Sequence, residues 1–493
     1  MISEDMKIKT ASNLAWRFAE RIGAHGFSFI LSVVLARLLL PEQFGLIAMV
    51  TVFTTIMVII IDCGTANALI QKKDADDTDF SSAFYFNAFL GVVSLAFMFV
   101  VAPLIAGFYG EEELTGLVRA LGFMLPIQGL VNVQLAYVSR MLIFKKLFFA
   151  TMGATVGSGV IGVWMAYTGY GAWAIVGQRL SCAAMSAVIL WLGTKWHPRF
   201  LFSLGRLKGL LRYGWKLLAT SLLDSGYASL GRLVIGRLYT PSDLAFYSKG
   251  QIITDSFVYS VNDSVDAVIL PVMSQVQGSP PNVRAIARRA IKTGSYFMWP
   301  LMLGLCVVAE PLVRLVLTEK WIETVPYLRI FCLICVFNPL HTANLGAMKA
   351  MGRSDLILKL ALINKTIGIA ALLLVMRHSV MAIMCSMLFA AIISSFINAY
   401  PNKKILDYRY FEQVRDILPT IALTAVMIAA VYPIAVIGMD DFWTLSLQLV
   451  TGLTIYVLGS VVLKLESFTY AMALFRSYRK RWQKRTSPNK TGI

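Results

Sequence analysis

The stretch that decides the fold is residues 82–108, which read SAFYFNAFLGVVSLAFMFVVAPLIAGF. It contains no charged residue, and as an α-helix rising about 1.5 Å per residue it exceeds the roughly 30 Å hydrocarbon core of a bilayer. About fourteen apolar segments of this kind follow one another along the chain of 493 residues, separated by short polar loops. This pattern predicts an all-α, polytopic membrane protein.

The composition excludes the main soluble classes. Hydrophobic residues make up 57% of the chain and charged residues 15%, whereas about a quarter of a typical soluble domain is charged. A soluble enzyme, a disordered scaffold and a secreted disulfide framework are therefore excluded. The four histidines have no carboxylate partner at metal-ligand spacing, so we expect no metal site and no cofactor. Cys332 and Cys335 form a CxxC pair inside an apolar span, and we interpret them as packing residues.

The distribution of positive charge predicts how the chain is oriented. Lysine and arginine concentrate in alternate loops and at both termini, and the net charge is +18. Because positive loops stay on the cytoplasmic side, we expect both termini in the cytoplasm. We expect the basic tail, residues 466–493, to contact the headgroups of the phospholipid bilayer, and we do not interpret it as a nucleic-acid surface. The intervening loops carry Arg37, Arg237, Arg314, Lys320 and Arg377.

Two stretches of the chain resemble each other and predict an internal repeat. Residues 37–45 read RLLLPEQFG, and residues 237–245 read RLYTPSDLA. Each joins a first to a second span when the seventh span is counted as a new first, so the two halves share one orientation in a parallel pseudo-twofold repeat. Twin helical bundles of this kind leave a cleft between them, which is the design of an alternating-access transporter.

The repeat predicts four parts of the chain. Residues 1–200 would form an N-terminal lobe of six helices, and residues 201–400 a C-terminal lobe of six. Residues 401–465 would add two further transmembrane helices. Residues 466–493 would be the cytoplasmic tail.

Ionisable residues within the spans predict a water-filled cavity. Since a charge near the bilayer centre costs about 3 kcal/mol, most of these groups must face water, pair with one another or lie near span ends. Lys249, Arg329 and Lys359 lie near span ends, where snorkelling toward the headgroups is an alternative. The basic residues within the spans are Arg17, Arg21, Arg119, Arg179, Lys216, Arg232, Lys249, Arg329, Lys359 and Lys365.

Polar stripes on three spans select the candidate site residues. Helical spacing puts these residues on one face of the first, seventh and eighth spans, which favours a cavity lining over isolated pairs that stabilise helix contacts. Basic residues exceed acidic ones, which favours an anionic substrate, and arginine suits phosphate in particular. The candidate substrate-binding residues are Arg17, Arg21, Lys216 and Arg232. The candidate ion-coupling or charge-balancing residues are Glu20, Asp224, Asp255 and Asp263.

Four segments together resemble a known family of transporters. They are residues 34–46 (VLARLLLPEQFGL), 62–73 (DCGTANALIQKK), 269–274 (ILPVMS) and 319–321 (EKW). Their order and spacing are similar to those of the Wzx-type polysaccharide repeat-unit flippases and exporters, close to the colanic-acid and succinoglycan branch. That family belongs to the multidrug/oligosaccharidyl-lipid/polysaccharide superfamily.

The resemblance implies a fold, a substrate and a place in the cell. The fold would be two six-helix lobes in a MATE-like V with two extra C-terminal helices. The substrate would be an oligosaccharide repeat unit on undecaprenyl pyrophosphate, moved across the bacterial inner membrane for exopolysaccharide, O-antigen or capsule synthesis. Arg17 and Arg21 occupy the part of the first helix that is thought to meet the anionic head group in such flippases. A polysaccharide polymerase or co-polymerase is a further candidate partner.

Two other functions compete with this expectation. A multidrug or small-molecule cation antiporter of the same architecture would need a net acidic cavity lined by aromatic residues. A membrane polymerase or glycosyltransferase would need a catalytic carboxylate cluster and a substrate-binding segment outside the bilayer. Loops between the spans are too short for such a segment, and the basic excess within the spans argues against the antiporter.

Overall fold

The computed structural model describes residues 16, 20, 23–24, 26–276, 278–469 and 472, with side chains described except at residues 259–271. Every regular element in this part of the chain is helical, which confirms the all-α prediction. A 3-10 helix covers Glu319–Trp321. The α-helices are α1 Gly26–Leu38, α2 Pro41–Asp62, α3 Thr65–Gln71, α4 Asp77–Tyr109, α5 Leu114–Gly122, α6 Met124–Arg140, α7 Phe144–Tyr167, α8 Ala172–Gly193, α9 Leu204–Leu238, α10 Pro241–Gln275, α11 Pro280–Leu317, α12 Thr324–Cys335, α13 Asn338–Ala350, α14 Ser354–Val375, α15 Val380–Ile405, α16 Tyr410–Val436 and α17 Asp441–Val462.

Eleven helical segments in the described residues are long and apolar enough to cross a membrane. Three of these segments consist of two helices in succession, namely α2 with α3, α5 with α6, and α12 with α13. Helices α9 and α10 have 35 residues each, about 50 Å at 1.5 Å per residue, but they are not among the eleven. Helix α1 is not among these eleven either, so the described chain confirms a polytopic membrane protein, and the count of about fourteen spans stays a prediction.

The chain divides into two compact units, Met1–Ser248 and Lys249–Ile493, which we call unit 1 and unit 2. The division falls inside α10, so α9 is part of unit 1. In unit 1, α9 packs against α2, α3 and α4. The four-part division at residues 200, 400 and 465 stays a prediction, as does the twofold repeat.

Glycines allow α9 and the turn after it to approach both ends of α2. In the first turns of α2, Gly45 lies against the backbone of Pro241, and a methyl group on Gly45 would overlap the Pro241 carbonyl. After the other end of α2, Gly64 has a left-handed φ of 70°, which glycine adopts readily, and it is the N-cap of α3. Gly64 lies against Gly214 of α9. These contacts hold α9 along α2 within unit 1.

An acidic cluster at the start of α4 organises one end of unit 1. Asp76 caps the helix by accepting a hydrogen bond from the Asp79 backbone N–H at 2.9 Å, while the Asp79 carboxylate accepts from the Asp76 N–H at 3.2 Å. The Asp79 side chain is fully buried, and Lys72 Nζ lies 2.6 Å from it. Arg206 of α9 lies 3.3 Å from Asp76 and 3.7 Å from Asp79, so ion pairs connect the starts of α4 and α9.

A second charged cluster joins α11 to α16 in unit 2. The buried carboxylate of Asp416 accepts hydrogen bonds from Arg288 at 2.6 Å and from the Tyr408 hydroxyl at 2.7 Å. Lys292 of α11 lies 3.8 Å from Asp416 and 2.8 Å from Glu466, a residue that follows α17. Arg288 and Lys292 of α11 therefore attach α16 and the segment that follows α17 to the rest of unit 2.

Candidate functional site

The polar face predicted on α9 is accessible along its length. Lys216, Thr220, Asp224 and Tyr227 follow helical spacing, and all four are exposed, with Tyr227 at 36%. The Thr220 hydroxyl donates to the Lys216 carbonyl at 2.9 Å, inside the helix itself. The face is thus available to a ligand and is not packed against other helices of unit 1.

Several predicted site residues lie outside the described part of the chain. Arg17 and Arg21 are not among the described residues, and the side chain of Asp263 is not described. Glu20 and Asp255 are partly buried, and each takes part in a polar or electrostatic interaction, as Asp224 does. The proposed roles of these acids in ion coupling or charge balance stay predictions.

The predicted residue Arg232 of α9 and Arg179 of α8 both lie in unit 1. Arg179 was one of many basic residues within the spans and was not selected as a site residue from the sequence. A lone charge in the apolar sequence of α8 indicated Arg179, but its hydrogen-bond partner Thr51 is 128 positions away in the sequence and can be identified only in the fold.

Arg179 is held in place by Thr51 of α2. The Arg179 guanidinium donates a hydrogen bond of 2.7 Å to the Thr51 hydroxyl oxygen, and that hydroxyl donates to the Ile47 carbonyl at 2.6 Å. Thr51 is the eleventh residue of the 22-residue helix α2, about 15 Å from either end at 1.5 Å per residue. The guanidinium therefore lies near the middle of α2.

Arg329 of α12 provides a contrast in unit 2. It lies 3.8 Å from the carboxylate of Glu310 and donates to the Cys306 carbonyl at 3.3 Å. Glu310 also lies 3.1 Å from Arg314. Arg329 is therefore compensated by a carboxylate within its own unit. In the described residues, the hydrogen-bond acceptor for Arg179 is instead the neutral hydroxyl of Thr51.

Comparison of sequences relates the chain to proteins of polysaccharide synthesis. A family model described as "Polysaccharide biosynthesis protein" matches residues 34–326, more than half of the chain. The teichuronic acid biosynthesis protein TuaB of Bacillus subtilis is 28% identical over 60% of this chain and 62% of its own. The lipopolysaccharide biosynthesis protein WzxC of Escherichia coli is 24% identical over 75% of each chain. The succinoglycan biosynthesis transport protein ExoT of Rhizobium meliloti is 24% identical over 65% of each. The chain thus spans less than two thirds of the length of TuaB and ExoT.

Comparison of structures relates the fold to two solved transporters. The lipid II flippase MurJ in an inward closed conformation superposes with a TM-score of 0.74 at 15% identity, over 91% of this chain and 98% of MurJ. An inward-facing MATE family multidrug resistance transporter gives a TM-score of 0.63 at 13% identity, over 80% of this chain and 98% of its own. At such identities the likeness concerns the fold alone, and it confirms the MATE-like fold predicted from the sequence.

Proposed function

Because the chain belongs to the polysaccharide biosynthesis protein family, a family of transporters and not of enzymes, we propose that it flips lipid-linked oligosaccharides. The cargo would be a repeat unit on undecaprenyl pyrophosphate, carried across the bacterial inner membrane for exopolysaccharide, O-antigen or capsule synthesis. Both termini would face the cytoplasm, and a polymerase or co-polymerase would receive the flipped unit. Movement would follow alternating access through a cationic central cavity.

The observation that carries the proposal is the exposed polar face of α9 in a chain of this family. Lys216 on that face would be strongly disfavoured in contact with lipid tails, so an exposed position within a span suits a water-filled path. A path lined by basic groups attracts anions, because fixed charges in a medium of low dielectric constant focus the field. A pyrophosphate head group fits such a path, and its polyprenyl tail would stay in the bilayer.

The anionic head group would meet basic residues from several helices. Arg17, Arg21, Lys216 and Arg232 would contact the pyrophosphate, since guanidinium groups bind phosphate through paired hydrogen bonds. Glu20, Asp224, Asp255 and Asp263 would couple the movement of an ion to that of the lipid or would balance the basic charges.

Two experiments test the proposal. In a deletion strain, mass spectrometry of the extracted lipids should detect an accumulated undecaprenyl-linked oligosaccharide, and the accumulated lipid should lie in the cytoplasmic leaflet. In proteoliposomes, the purified full chain should move a lipid-linked oligosaccharide between leaflets, as followed by an enzyme that modifies sugars outside the vesicle. No accumulation in the cell and no movement in the vesicle would overturn the proposal.

A third measurement, of drug resistance, distinguishes lipid flipping from cation antiport by a protein of the same architecture. Cells that express the chain should gain no resistance to cationic drugs, because a net basic path repels them. Resistance that depends on the chain, without accumulation of lipid-linked sugar in the deletion strain, would favour the antiporter.

A further inference from the structure

We propose that the connector between α8 and α9, residues 194–203, is an interfacial anchor that inserts Phe200 and Phe202 into one leaflet of the membrane and binds anionic phospholipid. By the orientation predicted from the charged loops, this leaflet is the cytoplasmic one. The inference goes beyond the proposed function, because the connector holds none of the candidate site residues and its contact with lipid does not depend on what the chain transports.

The connector lies where two candidate membrane spans end. Helix α8 ends at Gly193, directly before the connector, and α4 begins at Asp77, whose carboxylate lies 3.0 Å from the Arg199 guanidinium. Residues at the ends of a span lie near the level of the lipid headgroups. The connector therefore lies at the boundary between hydrocarbon and water, where a backbone without helical hydrogen bonds is tolerated.

Hydrogen bonds to α4 hold the connector in place. The Arg199 backbone N–H donates to the Ser81 hydroxyl oxygen, and the Ser203 N–H donates to that of Ser82, both at 3.0 Å. Earlier in the connector, the Trp196 side chain is buried in unit 1. The protein itself therefore orders the backbone of the connector, so lipid binding does not have to supply the cost of ordering it.

The second half of the connector presents large apolar side chains outward. Phe200 is 100% exposed, and Leu201, Phe202 and Leu204, the first residue of α9, are exposed as well. Neighbouring apolar side chains on a fixed backbone are unfavourable in water and are typical of surfaces that bind a partner. Leu192, in the last turn of α8, is 84% exposed within a candidate span, so the apolar surface of that span continues along the chain into the connector.

Exposed cations flank these apolar side chains in the sequence. Lys195 precedes them, and Lys208 and Arg212 follow them near the start of α9. None of the three has an ion pair to the described residues, whereas Arg199 pairs with Asp77. Cations beside aromatic side chains are typical of segments that lie in the membrane interface and attract anionic lipid.

The combination of apolar and cationic side chains selects the partner. A neutral phospholipid would cover the phenylalanines but would leave the lysines without counter-charges. An acidic protein would neutralise the lysines but would also have to cover Phe200, at the end of a span that lipid surrounds. An anionic phospholipid supplies both an apolar chain and a negative headgroup, so it matches both parts of the surface.

Photocrosslinking of the purified full chain in nanodiscs tests the insertion. The photoreactive amino acid p-benzoylphenylalanine replaces Phe200, and the nanodiscs contain equal amounts of phosphatidylglycerol and phosphatidylcholine. After irradiation, mass spectrometry of the intact chain measures the fraction that carries a lipid. We expect about as much lipid adduct with the probe at Phe200 as at Leu192, and about fivefold less at Asp74, an exposed residue of the polar link before α4. Equal adduct at Phe200 and Asp74 would overturn the inference.

The mass of the adduct also identifies the class of lipid. With the probe at Phe200, adducts of phosphatidylglycerol should exceed those of phosphatidylcholine about threefold, and Lys195→Gln combined with Lys208→Gln should remove this excess. Lys320→Gln combined with Arg377→Gln is the matched control. These two cations lie in loops predicted on the other side of the membrane, so their loss should leave the excess unchanged. An excess that is absent at the start, or that survives the loss of Lys195 and Lys208, would contradict the binding of anionic lipid.

Thermal unfolding separates lipid binding from a structural role of the phenylalanines. In detergent without added lipid, Phe200→Ser combined with Phe202→Ser should unfold within about 2 °C of the wild type, because exposed side chains contribute little to the fold. Added phosphatidylglycerol should raise the unfolding temperature of the wild type about twice as much as that of the variant. A clear loss of stability in detergent would mean that these side chains support the fold, and an equal rise in both chains would mean that they bind no lipid. Either result would overturn the inference.

Irradiation of whole cells tests the alternative partner. With the probe at Phe200, we expect adducts with lipid, and adducts with a polypeptide in their place would assign the connector to a protein partner and refute the anchor. Lipid adducts on a chain that flips no lipid-linked oligosaccharide in proteoliposomes would refute the proposed function and leave the anchor standing.

Discussion

Gly64 and Gly214 lie with their backbones in contact, so that a methyl group on Gly64 would come within 2.5 Å of the Gly214 carbonyl oxygen and 2.7 Å of its Cα. Backbone atoms cannot move aside as the end of a flexible side chain can. Gly64 also has a φ of 70°, a conformation that disfavours residues with a side chain. This contact fixes the distance between α9 and the link from α2 to α3.

Replacement of Gly64 by alanine should destabilise unit 1. The left-handed φ and the overlap with Gly214 each oppose the new methyl group, and together they should cost about 2 kcal/mol or more. The measurement is the thermal unfolding of the purified chain in detergent. Gly209→Ala is the control, because a methyl group there meets nothing within 4 Å and alanine favours the helix. Equal unfolding temperatures for Gly64→Ala and the wild type would contradict the contact.

The stability of unit 1 should fall in acid partly through Asp76, which lies outside the spans. The hydrogen bond from the Asp79 N–H, and then the charges of Arg206 and Lys72, hold the pKa of the Asp76 carboxyl below its usual value of 3.8. Because the folded-state pKa is lowered, this stabilisation is complete above the unfolded value and is lost as the pH falls through the folded one. The difference in unfolding temperature between the wild type and Asp76→Ala should therefore shrink below about pH 4.

Asp74→Ala is the control for this pH dependence. Asp74 lies two positions before Asp76, is exposed and has no hydrogen bond or ion pair to the described residues. Its substitution should leave the unfolding temperature unchanged from pH 3 to pH 7. A gap between the wild type and Asp76→Ala that stays constant down to pH 3 would show that the Asp76 charge does not contribute.

Loss of the charge of Asp416 should loosen the attachment of α16 to α11. The Asp416 side chain is 6% exposed and accepts from Arg288 and Tyr408, so Asp416→Asn should lower the free energy of unfolding by about 1–3 kcal/mol. Glu412→Gln, which removes a 2.8 Å pair with Arg284, should cost less than about 1 kcal/mol, because Glu412 is 43% exposed. Unfolding in increasing denaturant measures both. Equal effects of the two substitutions would argue against a role for burial.

Substitution of the predicted head-group residues should stop export. Arg17→Ala combined with Arg21→Ala should abolish polymer export while the chain still inserts into the membrane, because two phosphate-binding cations are lost together. Polymer in the medium and the amount of chain in the membrane fraction are the two readouts. Export at the level of the wild type would exclude a head-group role for this pair.

The acids should reveal whether transport is coupled to an ion. If Asp224 couples ion movement, Asp224→Asn should leave exchange of lipid between leaflets intact but remove its dependence on a proton or sodium gradient in proteoliposomes. Glu20→Gln, Asp255→Asn and Asp263→Asn complete the series. If all four variants respond to the gradients as the wild type does, the acids balance charge instead.

The all-helical, polytopic architecture could be predicted from the sequence because the bilayer imposes a length and a hydropathy on each span. The polar face of α9 could be predicted as well, since Lys216, Thr220 and Asp224 repeat at helical spacing. The hydrogen bond of Arg179 to Thr51 could not, because it depends on how α8 packs against α2. The contact of Gly64 with Gly214 was also missed, because glycines that allow close packing leave no periodic pattern.

The membership of α9 in unit 1 means that the first compact unit does not end where the predicted repeat would place the boundary between its two halves. A duplication would have joined its two copies near residue 201, yet the first compact unit continues to Ser248. If the chain were produced as two separate polypeptides, a break before α9 would separate that helix from Gly64, which follows α2 and contacts Gly214. A break between α10 and α11 would leave the contact between Gly64 and Gly214 within one fragment. Two such fragments should therefore reassemble in the membrane, whereas fragments separated before α9 should not.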